Sequence, residues 1–122
     1  ERVEKSARIA QISEFIEESQ EGYNTQVGER GIRLSGGQRQ RIGIARSLYK
    51  DASVLVFDEA TSALDNTTEG LVIDAINKLE EGLTTFFIAH RLTTLRDCDI
   101  IIELDAGKVI AQGTYEELLE RI

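Results

Sequence analysis

Apolar residues recur at three-to-four spacing from position 3 to about 19. There Ile9, Ile12, Phe15 and Ile16 are separated by Glu14, Glu17 and Glu18, and the spacing predicts one amphipathic helix. A polar, glycine-punctuated loop follows from Gly22 to Gly31. From Ser35 to about Tyr49 the helical period returns, with Ile42, Ala45 and Leu48 on one face. Ser53 to Phe57 is a continuous β-branched and apolar run, the pattern of a strand covered on both faces, as in a parallel sheet. Leu71, Val72, Ala75, Ile76 and Leu79 then make a second helical stripe, with Asn66 and Glu69 at capping-box spacing before it and Gly82 beyond its end. Thr84 to Ala89 and Ile100 to Leu104 read as two more buried strands. Asp105-Ala106-Gly107 turns the chain into Lys108 to Gln112, an antiparallel hairpin. Thr114 and Glu117 cap a final helix carrying Leu118 and Leu119.

Strands alternating with helices predict an α/β fold with a mostly parallel sheet and flanking helices. The opening stretch, all helix and loop, reads as a separate small lobe. No internal repeat or low-complexity tract interrupts the pattern.

Composition narrows this picture modestly. The net charge of −8 argues against a nucleic-acid partner, which would call for a basic patch. No apolar run approaches the roughly eighteen residues that would span a bilayer, and the charged start, Glu1, Arg2, Glu4 and Lys5, is unlike a signal peptide. The single cysteine, Cys98, cannot form an internal disulfide and reads as a small packed thiol, fitting a reducing cytosol. Methionine and proline are both missing, position 1 included, so a segment of something longer is expected.

Candidate chemistry gathers at three places. Ser35-Gly36-Gly37-Gln38 can open a helix whose free N–H groups and dipole attract an anion, the glycines removing side chains that would hold a phosphate away. The same residues can also form a purely structural capping box between Ser35 and Gln38. Asp58 and Glu59 end an apolar strand, and ligands of open α/β sheets bind beyond the strands' carboxyl ends. Asp58 suits Mg²⁺, and Glu59 suits accepting a proton from an attacking water; a solvated strand end is the alternative. His90, the only histidine, follows another strand, at a carboxyl edge, where it can hydrogen-bond a phosphate oxygen or serve structure alone. Asp65 precedes a helix and reads on its own as a cap. Arg39, Arg41 and Arg46 read as a solvated or salt-bridged helix face.

Taken in order, these segments resemble the nucleotide-binding domain of an ATP-binding-cassette (ABC) transporter. Leu34 to Gln38 is similar to the signature motif, Val54 to Glu59 to the Walker B strand, and Ser62 to Asp65 to the D-loop. His90, within Ile88 to Leu92, is similar to the switch histidine. Thr25 to Gly31 resembles the X-loop of exporter-type members, and Gln112 to Leu118 resembles exporter cassettes too. The resemblance implies a partial P-loop NTPase fold, with residues 1–34 in the helical signature subdomain and 35–122 in the C-terminal part of a RecA-like core. It implies ATP and Mg²⁺ as cofactors, a second nucleotide-binding domain paired head to tail, and the transmembrane domains of an exporter as further partner, at the cytoplasmic face of a membrane. Ser35 and Gly37, with Gly36 and Gln38, would then meet the ATP of the partner cassette. Asp58, Glu59 and His90 would serve this cassette's own ATP, and Asp65 would couple the two sites.

The Gly-x-x-x-x-Gly-Lys-Ser/Thr phosphate loop of such a site is absent from these residues. The chain alone is therefore expected to be inactive as an ATPase, with the apolar faces around Val54, Val56 and Phe87 left without neighbours. Two rival readings are a non-transport ATPase of the same superfamily, in DNA repair or chromosome organisation, and a non-enzymatic module acting in trans on an intact cassette.

Overall fold

Helix α1 (Arg2–Ile9) ends sooner than the apolar spacing predicts, and α2 (Ser13–Glu18) starts after a break. The computed structural model describes residues 1–79 and 82–121, and this break is its first departure from the expected single helix over 3–19. Gln11 takes a left-handed backbone (φ 59°). Its N–H donates to the Arg8 carbonyl (3.1 Å) while that of Ile12 donates to the Ala7 carbonyl (3.0 Å), which is a Schellman ending with glutamine where glycine is usual. A left-handed non-glycine residue costs about 1–2 kcal/mol. Two contacts offset it: Ile12 becomes fully buried, and Arg41 Nη1 donates to the Gln11 carbonyl at 2.8 Å. Arg41 thus ties helix to backbone rather than forming a solvated or salt-bridged face.

Helix α3 (Gly36–Tyr49) begins where the sequence predicts and lays Ile44 into the core beside Ala7, Ala10 and Ile12. It leads into β1 (Val54–Asp58), then α4 (Asn66–Asn77) and β2 (Thr84–Ile88). The strands β1 and β2 pair in parallel, Val54 opposite Thr84 through Asp58 opposite Ile88. Only one face of this pair is covered. Leu55 and Phe57 are buried, and Phe57 stacks on Phe87 with ring centroids 5.2 Å apart. Val54 (53% exposed), Val56 (61%), Phe86 (55%) and Ile88 (51%) form the open face. The expectation for Val54 and Val56 is met. Phe87 is corrected: alternation along β2 turns it onto the covered face, and Phe86 and Ile88 occupy the open one.

The stripe on α4 is also shifted. Val72, Ile73 and Ile76 are buried, whereas Leu71 is exposed. The cap is Asp65 rather than Asn66, and Glu69 is buried instead of completing a capping box.

By its contacts the chain divides into two compact units, Glu1–Ile88 and Ala89–Ile122. Within the second, β3 (Ile101–Asp105) and β4 (Lys108–Gly113) pair antiparallel. Ala106 (φ 47°) and Gly107 (φ 76°) form the two-residue turn between them, and two left-handed residues there match the twist of a hairpin. Ile100 to Leu104, expected as a buried strand, is corrected to an exposed hairpin strand on which Ile101 alone is buried. Its partner is β4, not the parallel pair, so its apolar residues face outward. Helix α5 (Tyr115–Leu119) closes the described chain with the expected box, Thr114 N–H to Glu117 Oε2 (2.8 Å) and Glu117 N–H to Thr114 Oγ1 (3.3 Å). The architecture is α/β, with one short parallel sheet, one antiparallel hairpin and flanking helices.

Candidate functional site

Two turns of the first unit meet at its chemistry-bearing corner: the start of α3 and the loop from Glu59 to Asp65. At the first, Ser35 Oγ accepts the Gln38 N–H (3.1 Å) and Gln38 Oε1 accepts the Ser35 N–H (2.9 Å). The structural capping box is therefore formed, and Gln38 is engaged in it. The N–H groups of Gly36 and Gly37 belong to the set that every helix start leaves without an intrahelical acceptor. No acidic side chain lies in this first turn, so nothing there opposes an anion at the dipole's positive end.

The glycines also answer to the loop. A Cβ built on Gly37 would stand 3.2 Å from the Ala63 carbonyl oxygen and 3.4 Å from Leu64 Cδ2. Backbone approach within the chain thus favours glycine at 37, since any side chain would push the Ala63 carbonyl back by a few tenths of an ångström. A Cβ on Gly36 would meet Ala63 Cβ at an ordinary 3.5 Å. Leu64 itself is buried in the core and holds the loop against α3.

Asp58 ends β1 and is exposed at the strand's carboxyl edge. Glu59, also exposed, follows with a left-handed backbone (φ 51°), which costs about 1–2 kcal/mol for a residue with a Cβ. Hydrogen bonds on both sides of the residue hold it there. The Glu59 N–H donates to the Ile88 carbonyl (2.8 Å), continuing the parallel ladder, and its own carbonyl accepts the Ser62 N–H (3.2 Å). A third bond comes from α3: Gln40 Nε2 donates to the Glu59 carbonyl at 3.2 Å. The same amide donates to Ser62 Oγ (2.8 Å), and its Oε1 accepts the Ala63 N–H (2.8 Å).

Gln40 escaped the reading from sequence. Its partners lie 19, 22 and 23 residues away, and on its own it reads as one more polar helix residue. The available signal was helical spacing, which puts Gln40 on the same face as Gly36 and Gly37.

Asp65 caps α4: Oδ2 accepts the Thr68 N–H (3.0 Å) and Oδ1 accepts the Thr68 hydroxyl (2.6 Å). Those two bonds, the hydroxyl's first, hold its carboxyl below the usual carboxylate range. His90 lies just beyond β2, in the second unit, and is exposed. Cys98 is half-buried, and burial, then Asp99 and Asp97, push its thiol up, away from the reactive thiolate.

Of these residues, the exposed carboxylate of Asp58 could hold a metal ion. Among the described residues no three of His, Cys, Asp and Glu gather as a metal cluster. A single exposed carboxylate at a strand end is what Mg²⁺ uses when water and phosphate fill its other positions. Elsewhere in the first unit, a largely apolar cavity of about 730 Å³ opens between α1, α2, the 22–27 loop and α3, with Phe15, Ile16, Tyr23, Val27 and Ile42 in its lining. No described helix is long and apolar enough to cross a membrane.

The glycine-opened start of α3 thus lies against the turn that follows the strand-end carboxylates Asp58 and Glu59. The ABC transporter family model matches residues 1–62, and the chain belongs to the ABC transporter family. It is 55% identical over 119 residues to an ATP-dependent lipid A-core flippase of Alkalilimnicola ehrlichii, covering 98% of this chain and 20% of that protein. It is 54% identical over 119 residues to a beta-(1→2)glucan export ATP-binding/permease protein, NdvA, of Agrobacterium fabrum, with the same coverages. Among solved structures it matches a bacterial Atm1-family ABC exporter with ATP bound, at TM-score 0.92 and 46% identity over 98% of this chain and 21% of that one. The chain thus spans about one fifth of the length of these relatives.

Proposed function

We propose that this chain is the C-terminal part of an exporter's nucleotide-binding domain, hydrolysing ATP within the full-length protein to move a substrate across a membrane. The observation that carries the reading is the corner itself: the glycine-opened start of α3 lies against the turn that carries Glu59 and Asp65. Residues 1–34 would belong to the helical signature subdomain and 35–122 to the ATPase core.

Asp58 would give one carboxylate oxygen to a hydrated Mg²⁺, which when bound neutralises the charge on the nucleotide's phosphates. Glu59 would take a proton from the water that attacks the γ-phosphorus, as the bond to the β-phosphate oxygen breaks and ADP leaves. His90 would hydrogen-bond a γ-phosphate oxygen. Ser35 and the first N–H groups of α3, with Gly36 and Gly37 clearing the approach and Gln38 completing the cap, would face the γ-phosphate bound by a second cassette. Asp65, beside that start, would couple the two sites. The apolar cavity next to Thr25, Gln26 and Val27 supports a transmembrane domain as the further partner, at the cytoplasmic face. Alone, without a phosphate loop in its sequence, the chain would not hydrolyse ATP.

The test is hydrolysis by the purified full-length protein in lipid vesicles. Glu59→Gln is expected to lower kcat by about 100-fold or more while ATP binding persists. Hydrolysis at the wild-type rate would remove Glu59 from the reaction and the proposal with it.

A further inference from the structure

We infer that Gln40 is a positioning residue for ATP hydrolysis: its side-chain amide holds the strained backbone of Glu59 and ties it to the signature helix. The inference rests on the ATPase reading above and adds to it a residue that touches none of the reacting groups.

Three observations carry it. Glu59 sits at φ 51°, a backbone that a glutamate adopts only when its surroundings impose it. One of the bonds that impose it is local, from Ser62 across the turn; the ladder bond comes from Ile88 at the end of β2, and the third comes from Gln40 on α3. The amide of Gln40 is also fully used. Both Nε2 hydrogens have acceptors, the Glu59 carbonyl at 3.2 Å and Ser62 Oγ at 2.8 Å, and Oε1 takes the Ala63 N–H at 2.8 Å.

Gln40 lies one helical turn after Gly36, on the face of α3 that approaches Ala63. One side chain therefore joins the helix whose start faces one nucleotide to the turn whose carboxylate serves the other. If that tie is cut, the Glu59 peptide is free to relax toward an ordinary backbone. The relaxation swings its carboxylate off the line of attack, and displacements of about 1 Å can cost 10²-fold in rate. Nucleotide binding does not use Glu59's alignment, so the effect belongs in kcat.

The experiment compares Gln40→Met and Gln40→Glu in the full-length protein. Methionine keeps length and bulk but removes every bond. Glutamate keeps an acceptor for the Ala63 N–H and loses both donors, setting a carboxylate against the Glu59 carbonyl. Both variants are expected to lose about tenfold or more in kcat with KM for ATP within about twofold. Hydrogen exchange separates them: the Ala63 amide exchanges at least about tenfold faster in Gln40→Met and stays protected in Gln40→Glu. Should Gln40→Met not fold, Gln40→Glu alone decides through its kcat, since its loop is still held.

A kcat unchanged in Gln40→Glu overturns the inference, whatever the exchange rates show. So does a loss confined to KM. Glu59→Gln is run beside them: if it too keeps full hydrolysis, the ATPase reading fails, and if it alone is inactive, only the role of Gln40 does.

Discussion

Two helix starts in this chain carry the same capping box, and on the proposed reading only one of them has a task beyond its own helix. At α3 the pair is Ser35 and Gln38; at α5 it is Thr114 and Glu117. In both, a hydroxyl accepts the third residue's N–H and that residue's side chain reaches back to the cap. What differs is the rest of the first turn. In α5 it holds Glu116 and Glu117, so two carboxylates already complement the helix dipole. In α3 it holds Gly36, Gly37 and the neutral Gln38, with no acid at all. The box is a device for starting a helix. What would make one start receptive to an anion is the charge and bulk left off around it.

The sharpest way to break that contrast is to make α3 resemble α5. Gly36→Glu places a carboxylate in the first turn, where an added Cβ meets Ala63 Cβ at 3.5 Å, a distance the fold tolerates. At this first position the carboxylate complements the helix dipole by about 0.3–1 kcal/mol. Hydrolysis by the full-length protein is nevertheless expected to fall by about 100-fold or more, the scale of losing a transition-state donor. A more protected α3 with full activity would show that its start meets no phosphate.

A smaller effect comes from deleting each cap in turn. Ser35→Ala and Thr114→Ala should each cost about 1 kcal/mol locally, seen as faster amide exchange in the first turn of α3 or α5. Their effects on hydrolysis should part: several-fold lower for Ser35→Ala, within about twofold for Thr114→Ala, in proportion to the hydrogen bond each start would lend the reaction. Equal losses in both would mean that ATPase rate tracks helix stability alone.

The two starts were also equally legible, since a box spans four consecutive residues. The same holds for the hairpin, where Ala106 and Gly107 announce the turn between β3 and β4. Legibility ended where a conformation depends on a distant partner. No glycine marks the break at Gln11, because its carbonyl is held by Arg41, thirty residues on. Phe87 was assigned to the wrong face because Thr84 to Ala89 reads as a run apolar on both sides, and only its pairing with β1 sets it opposite Phe57. Motif spacing singles out Asp58, Glu59 and Asp65 as candidates, but the tie from Gln40 lies between motifs and belongs to neither.

A third start, that of α4, sharpens the comparison by charge, for its cap is an acid. Asp65 accepts the Thr68 hydroxyl and N–H, and its carboxyl ionises more readily in the helix than in an unfolded chain. A lowered value in the folded state stabilises α4 fully above the ordinary aspartate value of about 4. The contribution is lost as pH falls through the lowered value. Neither Ser35 nor Gln38 carries an acid, so the cap of α3 has no such dependence. Exchange at the first turn of α4 in the full-length protein, corrected for the intrinsic pH dependence of exchange, should speed up as pH drops below about 4. In Asp65→Asn, where the cap keeps its oxygen but has no proton to gain, the same turn should show no such step. The effect is small, because the carboxylate is exposed to solvent and water screens it. An identical step in wild type and Asp65→Asn would assign the transition to another group and leave the starts of α3 and α4 alike in their response to acid.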